Sequence, residues 1–190
     1  MPQYKFKRDP ANLVSVEEAG RMIKSAKHDW LKALISFLYL FGCRISEALE
    51  VRRGDFWIEN NYLAVRMKIL KKRKKKKSSG PYGDGDFHIL RVSLDAPFVK
   101  KILIPYLKKI KNRESRVFPV SRQLAWRKMK DLNPNISPHI FRHDRLLKFA
   151  LKGATGVELM DWAGWSDMRP ARNYLLKAGR LAANLADKVD

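Results

Sequence analysis

Apolar residues recur every three or four positions over most of the chain and every second position over one short stretch, which predicts a mainly helical protein with one small sheet. Val16, Ala19, Met22, Ile23 and Ala26 keep helical spacing behind Ser15-Val16-Glu17-Glu18, a capping-box sequence. Asp29 is placed to cap a second helix. Its residues Leu31, Leu34, Ile35, Phe37, Leu38, Tyr39, Leu40 and Phe41 are apolar nearly all round, as in a helix at the middle of a core. Gly42 closes that helix and Ile45 to Glu50 continue as a third, so Arg44 falls at a helix–helix junction beside the core.

From Phe56 the period shortens to two. Phe56 and Ile58 lead to a turn at Asn60-Asn61, after which Leu63, Val65, Met67 and Ile69 alternate with Tyr62, Ala64, Arg66 and Lys68. Leu90, Val92 and Leu94 resume the alternation on a returning strand, giving a three-stranded antiparallel sheet. Between them lie a basic run and the loop Ser78 to Gly85, whose glycines do not open a helix and so do not make a phosphate-cradling loop. Val99, Ile102, Leu103, Tyr106, Leu107 and Ile110 mark a further helix that Pro105 must kink or carry on its solvent side. Ser121, Ser137-Pro138 and Thr155-Gly156-Val157-Glu158 signal three more starts, Gly153 and Gly164 two stops, and Ser166 the next start. Gly179 is expected to separate a last amphipathic piece carrying Leu181, Leu185, Ala186 and Val189. The fold class is α+β, mainly α-helical, with residues 1–14 as a lead-in and 15–190 as one domain.

Composition narrows the partner. The 190 residues hold 40 Lys and Arg against 19 Asp and Glu, a net charge of +21, which points to a polyanion such as nucleic acid. The run Lys71, Lys72, Arg73, Lys74, Lys75, Lys76, Lys77 is its densest part, and contact with a phosphate backbone suits its place beside a hairpin tip. The chain stays strongly basic without it. An anionic membrane surface fits less well, because the run borders a Ser/Gly/Pro loop instead of lying on an amphipathic helix. With Cys43 as its one cysteine the chain forms no internal disulfide and no Cys-rich zinc site. No signal-peptide core opens it, and its most apolar stretch, Leu34 to Cys43, is too short to span a bilayer. The expectation is a cytoplasmic protein, in the nucleoid or a host cytoplasm.

Chemistry gathers in the second half. His139 and Arg142 stand three residues apart within the first two turns of a helix, where free N–H groups and the helix dipole favour an anion. Taken alone, the pair is more simply a capping histidine and a surface cation. Tyr174 lies among basic residues after a Trp that follows a helix stop, and taken alone it is more simply a packing residue. Asp84 and Asp86 lie in a loop with the basic run Lys71 to Lys77, which argues against a metal-dependent nuclease.

The order of these pieces changes their weight. Gly42-Cys43-Arg44-Ile45-Ser46-Glu47, a Lys-bearing hairpin, His139-x-x-Arg142, Gly164-Trp165-Ser166 and Tyr174 nine positions after the Trp resemble the catalytic domain of the tyrosine recombinases, the phage-integrase family, over Ser15 to about Lys177. The phrase from Gly164 to Tyr174 looks most like the archaeal and archaeal-virus branch. The resemblance implies the tyrosine recombinase catalytic-domain fold and site-specific recombination through a 3′-phosphotyrosyl intermediate. It also implies no metal or ATP, double-stranded DNA as partner, a homotetramer on DNA and a monomer when free. It makes Tyr174 the nucleophile, puts Arg44 and Arg142 on the phosphate, and gives His139 the tyrosine proton or a share of the phosphate. Trp165 takes the slot where many relatives have His, and Glu47 orients Arg44. The leaving 5′-oxygen takes its proton from a hairpin lysine. Strand parity puts Lys68 on the open face, at the place of the first Lys in the family's turn, with Lys71 and Lys72 as rivals.

Two features depart from the pattern. The family's N-terminal clamp domain has no counterpart in the short lead-in, as in an isolated catalytic fragment or a short single-domain relative, and Asp144-Arg145-Leu146 replaces the small residues many relatives show after His143. A type IB topoisomerase and a DNA-binding protein that keeps the fold without catalysis are the competing readings. The family's assembly further implies that the piece after Gly179 docks on a neighbouring protomer.

Overall fold

A computed structural model describes residues 13–70 and 87–186. The chain runs α1 (Val16–Ser25), α2 (Asp29–Phe41), α3 (Ile45–Glu50), β1 (Phe56–Glu59), β2 (Tyr62–Lys68), β3 (Phe87–Ser93), α4 (Ile104–Lys109), α5 (Arg122–Leu132), α6 (Pro138–Leu151), α7 (Gly156–Ala163) and α8 (Met168–Ala186). The three strands pair antiparallel in the order β1-β2-β3.

The helix α2 is the axle of the larger core. Leu34, Ile35, Phe37, Leu38 and Phe41 are fully buried, and the Phe37 ring meets Phe41, Phe56 and Phe118 at centroid distances of 4.6, 5.8 and 5.5 Å. The inner face of the sheet, Phe56, Leu63, Val65, Met67, Leu90 and Val92, closes one side of this core. A smaller core joins α6, α7 and α8 through Leu146, Leu147, Leu159, Ala163, Ala171, Tyr174 and Ala178. The hairpin turn has φ of 44° at Asn60 and 64° at Asn61, the left-handed pair that matches strand twist in a two-residue hairpin.

Several local signals act as their chemistry requires. Ser15 Oγ accepts the Glu18 N–H at 3.1 Å, and Thr155 and Glu158 form a full capping box at α7. Pro105 sits exposed in the first turn of α4, and a wide π turn over Val99–Leu103 delivers the chain to it. Other signals move. Asp29 is the first helical residue of α2 and an acid near its positive end, while His28 takes the cap position. Ser166 does not start α8; Asp167 does, accepting the Arg169 N–H at 2.8 Å. Gly179 does not break α8, which runs through it to Ala186, because a single glycine costs a helix only about 1 kcal/mol. Val14, expected in the lead-in, is fully buried in the core. The basic run 71–77, the loop tip and Val189 lie outside the described residues. Among the described residues no helix is long and apolar enough to cross a membrane.

Candidate active site

Two helix stops build the centre of the site. Gly42 ends α2 at φ 57° and Gly164 ends α7 at φ 62°, and each stop leaves carbonyls without helical partners. Arg142, on the second turn of α6, is 4% exposed and bridges them: its Nη1 donates to Gly42 O at 3.2 Å and its Nη2 to Ala163 O at 2.9 Å. Trp162 adds a bond of its own to the end of α2, Nε1 to Phe41 O at 2.8 Å. Gly42 is needed twice over, for its positive φ and because a Cβ there would stand 2.6 Å from the Cβ of Arg145.

Glu47 joins the two arginines. Its carboxylate, 1% exposed, accepts the Arg44 backbone N–H at 2.8 Å and the Arg44 Nη1 at 2.5 Å, and lies 3.8 Å from Arg142 Nη1. Arg44 precedes α3 and keeps 22% of its side chain exposed, so one edge of its guanidinium is fixed and the remaining donors face outward. Burial pushes the Arg142 pKa down, as does the nearby Arg44 charge, while Glu47 pushes it up.

The tyrosine and its neighbours complete the cluster. Tyr174, 6% exposed on the second turn of α8, stacks on Trp165 with ring centroids 5.8 Å apart, and the Arg142 guanidinium lies 5.5 Å from the centre of the Trp165 ring. The Tyr174 hydroxyl is hydrogen-bonded to Nδ1 of His143, whose ring lies 5.8 Å from the phenol. His139, one turn earlier and exposed, meets His143 edge to face at 4.8 Å. Burial drives the Tyr174 pKa well above its ordinary value of 10.0. His143 is lowered to about 4 by burial and by His139, Lys177 and Arg142.

The structure thus gathers Arg44, Glu47, Arg142, Trp165 and Tyr174, with His139 one ring away. Lys68 is not among them: it ends β2 opposite Phe87 on the outer face of the sheet, and its side chain makes no ion pair or hydrogen bond among the described residues. His143 was not singled out by sequence, and it rather than His139 touches the tyrosine. The only signal available was its place four residues after His139, on the same helix face. His88 is a second addition. It faces inward from β3, with Nδ1 3.3 Å from Asp161 O and a buried Nε2 that has no hydrogen-bond partner among the described residues, and burial lowers its pKa. Beside it a groove of about 1440 Å³ runs between β3 and α7, lined by Arg66, Arg91, Lys152, Trp162 and Trp165.

Asp144 and Arg145 also gain a physical account. Asp144 Oδ2 accepts the Val14 N–H at 2.6 Å and Lys148 Nζ donates to Val14 O at 2.6 Å, so α6 grips both backbone polar groups of one residue in the segment before α1. Arg145 lies over the rings of Phe149 and Trp162, at 4.6 and 5.7 Å.

Residues 13–179 match the model of the phage integrase family. No curated protein sequence matches the chain. Among solved structures, the XerH site-specific recombinase bound to palindromic difH substrate, in a post-cleavage complex, is similar with a TM-score of 0.66 at 13% identity, over 97% of this chain and 55% of that one. The XerA recombinase is similar with a TM-score of 0.65 at 19% identity, over 92% of this chain and 65% of that one. The Tn1549 transposon integrase, in complex with transposon right end DNA, has a TM-score of 0.52 at 15% identity, over 97% of this chain and 68% of that one. The chain therefore spans about half the length of the XerH chain it matches. At these identities the likeness is one of fold, the mostly helical tyrosine recombinase catalytic domain with its three-stranded antiparallel sheet.

Proposed function

Because the chain belongs to the phage integrase family, we propose that it is a site-specific DNA recombinase that cleaves and rejoins strands through an ester between Tyr174 and a 3′-phosphate. The observation that carries this reading is the gathering of Tyr174, Trp165, Arg142, Glu47 and Arg44, from three helices and two turns beside them, into one cluster. Rejoining DNA without metal or ATP requires the phosphodiester energy to be stored, and a tyrosyl ester stores it. The phosphorus gains charge on its non-bridging oxygens as it is attacked. Arg44, with an outward edge, and Arg142, with three of its five N–H donors unused by the helix ends, meet those oxygens with charge-assisted hydrogen bonds. Trp165 is a fixed wall between Arg142 and Tyr174 and exchanges no proton. Lys68 supplies the proton for the leaving 5′-oxygen once DNA draws the hairpin toward the site. The run Lys71 to Lys77 follows the phosphate backbone, and strand exchange between two duplexes takes place in a homotetramer.

The test is a covalent adduct. Incubating the protein in EDTA with a plasmid pool carrying random inserts, followed by denaturation, should leave DNA attached to protein, with the attachment at Tyr174. Tyr174→Phe should abolish the adduct while binding is kept. Absence of an adduct from the unaltered chain sinks the reading in favour of a non-catalytic DNA-binding protein, and relaxation of supercoils without exchange assigns a topoisomerase.

A further inference from the structure

We infer that His143 is a catalytic residue of this site, the group that orients the Tyr174 hydroxyl and takes its proton as the hydroxyl attacks phosphorus. The inference rests on the recombinase reading and deepens it, by moving the proton from the His139 position to one turn further along α6.

Geometry decides between the two histidines. Nδ1 of His143 is hydrogen-bonded to Tyr174 Oη, the atom that would react, whereas His139 reaches His143 edge to face and is exposed. With its own proton on Nε2, the imidazole of His143 offers Nδ1 as an acceptor, so the phenol donates along the line in which its proton would leave. The phenol cannot swing freely. Its ring is stacked on Trp165 on one side and packed in the α6–α7–α8 core, and the His143 bond fixes the remaining rotation of the O–H.

Charge keeps the base ready. Among the described residues, the groups that face His143 include His139 and Arg142 from α6, and Tyr174 and Lys177 from α8; apart from the phenol they are basic, and together with burial they keep the imidazole neutral down to about pH 4. An entering phosphate reverses that field: its negative charge strengthens His143 as a base, while Arg44 and Arg142 stabilise the phenolate oxygen as it forms its bond. The step balances. The Oη–P bond forms, the Oη proton passes to Nδ1, and the P–O5′ bond breaks with its electron pair on the 5′-oxygen, which is protonated by the separate donor in the hairpin. Rejoining runs the same transfers backwards, with the His143 imidazolium returning its proton to the departing phenolate.

The experiment uses DNA captured in the adduct test, nicked so that the 5′ fragment leaves and the adduct accumulates in a single turnover. His143→Asn retains an acceptor oxygen close to the Nδ1 position but takes no proton. It is expected to slow adduct formation by roughly 10²–10⁴, with DNA binding and thermal midpoint near those of the unaltered protein. A substrate with a 5′-thiolate leaving group should relieve loss at the hairpin lysine but not this loss, and added imidazole should restore part of the rate to His143→Gly. An adduct rate for His143→Asn within about threefold of the unaltered protein overturns the inference, since a hydrogen bond alone would then suffice. So does a full loss in His139→Asn with none in His143→Asn. Survival of the adduct in Tyr174→Phe is a different outcome, which removes the tyrosine reading itself.

Discussion

Arg142 and Glu47 stand 3.8 Å apart with 4% and 1% of their surfaces exposed, and Arg44 shares the same carboxylate. One buried acid thus separates two cations that the proposed chemistry needs side by side. Removing one partner of such a buried pair strands the other charge, so Glu47→Gln should lower unfolding stability by about 3–5 kcal/mol in urea titrations. Arg44→Ala, at a partly exposed side chain, should cost far less stability yet slow adduct formation by roughly 10²–10³, the loss of one donor to the transition state. Equal stability losses in the two variants would show that Glu47 is not the common support.

The neutral state of His143 has a signature in stability. Its pKa falls from an ordinary 6.5 to about 4 on folding, so between those values the unfolded chain binds a proton that the folded chain refuses. The contribution is complete above pH 6.5 and is lost as pH falls toward 4. Unfolding midpoints measured across this range should therefore decline more steeply for the unaltered protein than for His143→Gln. His88, also held neutral by burial, is present in both proteins, so the difference isolates His143. Parallel declines would mean that His143 is not held neutral in the fold.

Much of this arrangement is legible in the sequence, for a physical reason. Periodicity reports which face of an element is buried, and caps report where helices begin, so α2, the Asn60-Asn61 hairpin and the Thr155–Glu158 start follow from local rules. Arg142 was nameable from its place on α6, but not its two carbonyl partners, which come from helix ends at positions 42 and 163. His143 was hidden for the same reason: its partner lies 31 residues away, and one histidine beside another looks like part of the motif. Gly179 shows the opposite failure. Glycine often stops helices, yet a single interior glycine costs only about 1 kcal/mol, and α8 continues.

The grip of α6 on the segment before α1 predicts a stability effect separate from the active site. Asp144→Ala leaves the buried Val14 N–H without its acceptor, which should cost about 1–3 kcal/mol. Asp144→Asn, which keeps an acceptor oxygen, should lose less. Amide exchange at Val14 should accelerate in Asp144→Ala while exchange in α2 follows only the global change. An unaltered Val14 exchange rate would show that the segment is held by its apolar burial alone.

The final prediction concerns the hairpin donor. Parity puts Lys68 on the outer face of β2, opposite Phe87, and it is not in contact with the Arg142–Tyr174 cluster among the described residues, so the proposed proton transfer has the end of the hairpin drawn to the site when DNA binds. Lys71 and Lys72 stand three and four residues further along the sequence. The leaving group separates them. A 5′-oxygen needs a proton as it departs and a 5′-thiolate does not, so the true donor is the lysine whose loss slows the oxygen substrate alone. Lys68→Ala should therefore slow adduct formation on ordinary DNA by roughly 10²–10⁴ and leave the thiolate substrate near the unaltered rate. Relief of this kind in Lys71→Ala or Lys72→Ala, with Lys68→Ala unaffected on both substrates, would move the donor beyond the strand. Equal loss on both substrates would make Lys68 a phosphate contact, since electrostatic help to the phosphorus is needed whichever atom leaves.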